Sequence, residues 1–292
     1  SVSQWGEWRD PEKAEAQDWL LVPELTHSIT SEIISFSHRM MLRCAYVFYD
    51  AIPWKMKDIY LGEAIEAHGQ YMEDLNSCEK VFTISKFSRR DLLDFLGYST
   101  LHTPDLENRI QACVLPGEFM ETERVNEVKV AESRSIQILC VGTVEPRKNH
   151  LALLEAFAQV QAQAERSIEL VIAGGGPFLD LNEKVQHYIN TVPNIKWEKS
   201  PTDDHLNKLY VECDFTVYPS LEEGFGLPIL ESVWHARPCI CRDSGAMEEV
   251  AKDGGCLMVD ITSQDALAQA MLKLIEDDQL RLDLAREWTG VQ

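Results

Sequence analysis

A chain of 292 residues is long for one hydrophobic core and suits two domains of ordinary size. With 45% hydrophobic and 26% charged residues the composition is globular, which excludes a fibrous or disordered chain. Forty-eight acidic against 27 basic residues give a net charge of −21, which repels a phosphate backbone and excludes general nucleic-acid binding, though not one small anion held by a few local cations.

The opening residues, SVSQWGEWRDPEKAEAQDW, show no usable period and lack the apolar core of a signal peptide. Strand-like runs follow at 19–23 (WLLVP), 43–48 (RCAYVF), 80–84 (KVFTI) and 110–114 (IQACV), separated by helical patterns at about 28–40, 57–76 and 85–97. Four strands make a thin sheet, so this first domain, residues 1–120, reads as an α/β layer short of its opening strands. Residues 121–134 (ETERVNEVKVAESR) are charged and aperiodic and read as a solvated linker, the two domains joining near residue 125.

The second domain, 135–292, is the more legible. Apolar runs at 136–142, 168–173, 194–198, 215–219, 238–242 and 256–259 alternate with amphipathic stretches. Leu151, Leu154, Phe157 and Ala158 form one stripe; Leu267, Ala270, Met271, Leu274 and Ile275 form another, with Asn149 and Ser263 placed as N-caps. Six strands alternating with helices imply a parallel, doubly wound sheet covered on both faces. The chain stops at Gln292 without a cap or turn signal, as a piece of a longer protein would.

Eight cysteines, Cys44, Cys78, Cys113, Cys140, Cys213, Cys239, Cys241 and Cys256, lie mostly in apolar runs without a CxxC pair, and the eight histidines show no HExxH or HxH spacing. Reduced, buried thiols of a cytosolic protein and no metal site are expected. No run of about 18 apolar residues is present to span a membrane. The expected location is cytoplasmic, with peripheral contact at a membrane face compatible with the sequence.

In a sheet of order 3-2-1-4-5-6, ligands bind where the strand order reverses, at the carboxyl ends of strands 1 and 4. Two loops meet that rule: Gly142-Thr143-Val144-Glu145-Pro146-Arg147-Lys148-Asn149, and Ser220-Leu221-Glu222-Glu223-Gly224-Phe225-Gly226-Leu227-Pro228. One brings adjacent cations. The other brings glycines ahead of a helix start, where unpaired N–H groups and the positive dipole end favour an anion. The fitting guest is a diphosphate. Glu223 and Glu231, seven residues apart in the intervening count, flank the same helix start, and carboxylates accept paired hydrogen bonds from vicinal hydroxyls. A diphosphate bracketed by two such carboxylates describes a nucleotide-sugar. Gly174-Gly175-Gly176-Pro177, after the second strand, reads as a strand-to-helix turn.

VGTVEPRKNHLALLEAF, ELVIAGGGP and above all EEGFGLPILE resemble the family 4 retaining glycosyltransferases, which have the GT-B fold of two Rossmann-like domains facing a cleft. The resemblance covers residues 136–292 closely and extends more weakly through 79–116, where VFTISKFSRRDLLDFLG resembles the end of that family's acceptor domain. By motif it implies that Glu223 touches the sugar hydroxyls, Glu231 the ribose, the Phe225-Gly226-Leu227 backbone the diphosphate, and Lys148 a phosphate. Arg147 stands in for an arginine that many members carry at the position of Thr143. A His-Asp pair of many members is replaced by Tyr49-Asp50 in YVFYDAIPWKM, which leaves Asp50 a candidate without the histidine. The family's glycine-rich loop near the first strand has no counterpart.

The implied activity is metal-independent, retaining transfer of a hexose from a nucleoside-diphosphate sugar to a saccharide or glycolipid acceptor, with no separate cofactor. Arg147, Lys148 and the helix start would stabilise the departing diphosphate in place of a metal, and the EPRKN pattern leans toward GDP-mannose. The alternative is a transferase-like binding or regulatory subunit without turnover. A nicotinamide oxidoreductase is disfavoured, because Arg147-Lys148 occupies the loop where GxGxxG belongs.

Overall fold

A computed structural model describes residues 15, 18–98, 105–115, 122–125 and 135–289. The aperiodic opening stretch apart from Glu15 and Asp18, the linker apart from residues 122–125, and the chain end at Gln292 lie outside these residues. The chain divides into two compact units, Ser1–Leu115 and Pro116–Gln292.

Unit 1 is a four-stranded parallel sheet: β1 (Trp19–Val22), β2 (Arg43–Phe48), β3 (Lys80–Thr83) and β4 (Ile110–Ala112), in that spatial order. Its helices are α1 (Thr30–Arg39), α2 (Ile52–Lys55), α3 (Gly62–Asp74), α4 (Lys86–Tyr98) and α5 (Leu106–Arg109). Tyr46, Phe48, Tyr71, Met72, Val81, Leu92, Leu96 and Ile110 form one buried cluster between sheet and helices. The strands fall within two residues of their expected ends, but the helix expected over 57–76 starts only at Gly62, behind a separate short helix. Pro53 opens the short α2, Asp50 Oδ1 accepts the Ile52 N–H at 2.9 Å, and the backbone is still extended at Leu61 before α3 begins. Proline's fixed φ suits a first turn, and the Asp50 carboxylate satisfies one of the N–H groups left over at a helix start.

Unit 2 has β5 (Ile136–Val141), α6 (His150–Gln161), β6 (Ile168–Ala173), α7 (Leu179–Thr191), β7 (Ile195–Glu198), α8 (Asp203–Glu212), β8 (Phe215–Tyr218), α9 (Leu227–Trp234), β9 (Cys239–Arg242), α10 (Gly245–Ala251), β10 (Cys256–Val259), α11 (Gln264–Glu276) and α12 (Asp278–Thr289). All six strands are parallel in the order β7-β6-β5-β8-β9-β10, which in strand count is 3-2-1-4-5-6. The order reverses between β5 and β8. Ile138, Cys140, Leu154, Phe157, Ile172, Phe215, Ile240 and Met271 share a single buried core, and all four residues of β8 are buried. Burial on both faces explains why these strands read as continuous apolar runs rather than alternating ones.

Three local expectations need correction. Ser263 caps α11, its Oγ accepting the Ala266 N–H, whereas Asn149 stands at the N-cap position of α6 without a side-chain capping bond: it adopts a left-handed conformation (φ 55°) and its amide donates to the Ile261 carbonyl. Asparagine tolerates that backbone better than most side chains. Of the segment read as solvated linker, residues 122–125 lie against unit 2 itself, where Trp234 Nε1 donates to Thr122 Oγ1 at 3.0 Å and Val125 N to the Trp234 carbonyl at 3.1 Å. Of the eight thiols, six are buried, but Cys256 is half-buried and Cys113 is exposed. No helix among the described residues is long and apolar enough to cross a membrane.

Candidate functional site

The two switch-point loops meet at the carboxyl edge of the unit 2 sheet. After β5 the chain turns at Gly142 (φ 152°), runs through Thr143 and Val144, and forms a one-turn 3-10 helix over Pro146–Lys148 before α6. After β8 it passes Pro219 and Ser220 to Gly226 (φ 129°), from which α9 starts with Pro228 in its first turn. The loops are tied together by Leu221 N donating to the Arg147 carbonyl at 2.8 Å. A third loop, Gly174–Gly176 after β6, is pressed against the first. A Cβ on Gly176 would lie 2.0 Å from the Val144 carbonyl oxygen, and one on Gly174 2.2 Å from that of Gly142. These glycines are therefore required by backbone-to-backbone contact, a more specific reason than a turn.

Arg147, Lys148 and Glu223 form one knot. Glu223 Oε1 accepts from Arg147 Nη1 at 2.6 Å, Lys148 Nζ at 2.6 Å and Ser220 Oγ at 2.5 Å. Arg147 also donates from Nη2 to Glu145 Oε1 at 2.8 Å and from Nη1 to the Glu222 carbonyl at 3.0 Å. Lys148 Nζ donates to the Tyr218 hydroxyl at 2.7 Å. The ion pairs are shielded, with side-chain exposures of 16% for Arg147, 12% for Lys148 and 10% for Glu223. Burial pushes the Glu223 carboxyl up, but the adjacent ammonium and guanidinium outweigh it and hold the group below the usual carboxylate range. Burial also lowers Lys148, against the pull of Glu223. For Arg147 burial opposes the charged form as well, yet the Glu223 carboxylate prevails and its affinity for the proton is raised.

Glu231 sits one turn inside α9, where Tyr210 of α8 donates to its Oε2 at 2.6 Å. It makes no hydrogen bond to the knot among the described residues, although the charge of Lys148 reaches it. Burial raises its carboxyl above the ordinary value, against the opposing pulls of the Tyr210 hydrogen bond and Lys148. Gly224 and Phe225 are buried behind the helix start, Leu227 is 48% exposed at its mouth, and Thr143 is exposed on the facing loop without a hydrogen bond to these groups. The start of α9 contributes backbone N–H groups, one of which, that of Ile229, is used internally by the Gly226 carbonyl. The arrangement provides two cations and a helix N-terminus around one short carboxylate. Such a set suits an anion of two or more charged oxygens.

Asp50 belongs to unit 1, at the carboxyl end of β2. Its carboxylate is engaged at the start of α2, while its carbonyl accepts from His68 Nε2 at 2.9 Å. Among the described residues no group of three or more His, Cys, Asp or Glu side chains is placed to hold a metal ion.

Residues 121–288 match the family described as Glycosyl transferases group 1. The chain belongs to this family. Over 219 residues it is 28% identical to the O-antigen chain mannosyltransferase B of Escherichia coli, a match that covers 72% of this chain and 55% of that protein. Over 166 residues it is 27% identical to a GDP-mannose-dependent alpha-(1-6)-phosphatidylinositol monomannoside mannosyltransferase of Mycobacterium tuberculosis, covering 53% of this chain and 43% of that one. The chain thus spans about half the length of these relatives. Among solved structures it superposes on Anabaena Alr3699/HepE in complex with UDP with a TM-score of 0.71 at 15% identity, covering 92% of this chain and 72% of that chain. At that identity the likeness shows the fold alone, which is GT-B, with a Rossmann-like parallel sheet in each unit.

For this group 1 member, the sequence places Glu145 and Ser220 in the two loops without a role, and Tyr210 and Tyr218 go unmarked. Tyr218 and Ser220 end the FTVYPS run at the switch point, so their position was a usable signal. Glu145 stands two residues from Arg147 in the same loop. Tyr210 lies on the face of α8 turned to Glu231, and no motif marks it.

Proposed function

We propose that this chain transfers a hexose from a nucleoside-diphosphate sugar, GDP-mannose by preference, to a saccharide or glycolipid acceptor, with retention of configuration and no metal requirement. The observation that carries this reading is the placement of Arg147 and Lys148 beside the α9 start at the β5–β8 reversal, where both pair with Glu223. In this reading the diphosphate takes the cations from Glu223, which turns to hydroxyls of the transferred sugar, and Glu231 holds the ribose. Fixed cations in a shielded site stabilise the charge that develops on the departing diphosphate. Membership of the group 1 family and the mannosyltransferase names of its relatives support the donor choice.

A thermal-shift panel of GDP-, UDP- and ADP-sugars, run with and without a chelator, tests it. A ligand at 100 times its dissociation constant stabilises by about 2.7 kcal/mol, a shift that such a panel resolves. GDP-mannose should give the largest shift, unchanged by chelator. Equal silence from every nucleotide sugar would overturn the reading; a shift with no turnover on any acceptor would favour a binding subunit.

A further inference from the structure

The carboxyl edge of the unit 1 sheet carries a second polar constellation. His27 follows β1 and Asp50 follows β2, and these strands are paired in parallel, so both residues stand at the same edge. His27 Nε2 and His68 Nδ1 are 3.3 Å apart, and His68 Nε2 lies 2.9 Å from the Asp50 carbonyl. A carbonyl only accepts, so His68 Nε2 carries a proton. His68 is 2% exposed, and its burial disfavours the imidazolium. Its Nδ1 is therefore a bare lone pair, and the proton between the two rings belongs to His27 Nε2. That leaves His27 Nδ1 as an acceptor when the ring is neutral, without a hydrogen bond to any described residue, on a half-buried ring.

The backbone supports a role beyond packing. His27 has φ 35°, a region non-glycine residues rarely adopt, and such strain concentrates at binding sites. The strained loop is pinned on both sides: Thr26 Oγ1 bonds the Thr30 hydroxyl at 2.7 Å and the Tyr46 hydroxyl at 3.2 Å, and Tyr49, 39% exposed, donates its hydroxyl to the Pro23 carbonyl. Tyr71 braces the His27 ring edge-on at 5.9 Å. The loop that presents the oriented His27 acceptor nitrogen is thus also held, at Pro23, by the exposed Tyr49 side chain; a sugar needs such a pairing, one part for a hydroxyl and one for its apolar face.

We propose that His27 contacts a hydroxyl of the saccharide acceptor, and that His68 is the positioning residue that fixes its tautomer and ring angle. This rests on the glycosyl-transfer reading above. The test uses the full chain labelled with 15N-histidine. Long-range proton–nitrogen spectra should show His27 and His68 both as the Nε2–H tautomer. On titration with methyl α-mannopyranoside the His27 ring signals should shift saturably while those of exposed His187 in unit 2 stay fixed. His68→Phe should leave His27 a tautomer mixture and weaken the sugar response about three- to tenfold, the worth of one oriented hydrogen bond. His27 signals that do not move with the sugar, or an Nδ1–H tautomer in the wild-type protein, would overturn the proposal. GDP added separately reports on unit 2: its failure to bind sinks the transfer reading, whatever His27 does.

Discussion

Glu223 is the residue at which the contacts of the candidate site converge. One of its oxygens already accepts from Arg147, Lys148 and Ser220, so the carboxylate competes with any bound diphosphate for the same cations. Glu223→Gln removes the competitor's charge while keeping its shape. GDP should then bind at least as tightly as to wild type, while turnover falls about ten- to a hundredfold through loss of a charge-assisted bond to the sugar. Glu231→Ala should do the reverse, raising KM for the donor with kcat largely kept, because a ribose contact is made equally in ground and transition states. Steady-state kinetics on both variants separates the two, and exchanged profiles would mean that sugar and ribose are placed the wrong way round. A second residue-scale expectation concerns His150, whose ring is 1% exposed with neither nitrogen hydrogen-bonded among the described residues. Burial, and then the Lys148 charge, depress it to about 4. Its folded value lies below its unfolded one, so the unfolded chain takes up the proton first as pH falls. Stability is intact above the ordinary histidine range and declines by about 3 kcal/mol as pH drops to the folded value. Urea unfolding of wild type and His150→Leu across that window should show the extra slope only in the wild type.

At the scale of elements, the glycine loop after β6 makes a clear expectation. Gly176→Ala forces a Cβ onto the Val144 carbonyl and should cost about 1–3 kcal/mol, the range of overpacking. Gly69→Ala, in mid-α3 with its nearest neighbour at 3.9 Å, should gain about 0.5–1 kcal/mol from helix propensity. Chemical denaturation of both variants checks the contrast, and two losses would refute it. The strands of unit 2 were legible because a doubly covered parallel strand must be apolar on both faces, as in IELVIA and FTVYP. Helix ends were less legible: Asn149 has the composition of a cap, but its side chain is drawn to the Ile261 carbonyl, a partner 112 residues away. At the site, Arg147 and Lys148 could be found because topology alone brings their loop to the reversal point. The Glu223 knot could not, since which oxygen meets which cation depends on Tyr218 and Ser220 packing from the far loop.

At the scale of the whole molecule, the charge of −21 is mutual repulsion that folding concentrates. Screening extends about 30 Å at 0.01 M salt but only about 8 Å at 0.15 M. The melting temperature should therefore rise as sodium chloride is added across that interval, and a fall would show that the surface ion pairs outweigh the repulsion. Against that background Arg147 and Lys148, already paired with Glu145 and Glu223, are the cations a bound diphosphate would draw on, and the same salt range should weaken GDP binding as the protein itself becomes more stable.

The placement of β5 and β8 in the middle of the six-stranded sheet has a consequence for isotope exchange. Amides in these central strands are released only when the sheet opens as a whole, whereas those of the edge strands β7 and β10 are reached by smaller fluctuations. The two loops that carry Arg147–Lys148 and Glu223 grow from the slowest-exchanging strands of their unit. Deuterium uptake should therefore advance through β7 and β10 while these two loops still keep their anchors. Loss of GDP binding in rising denaturant should then coincide with the release of β5 and β8 amides, and with no earlier step.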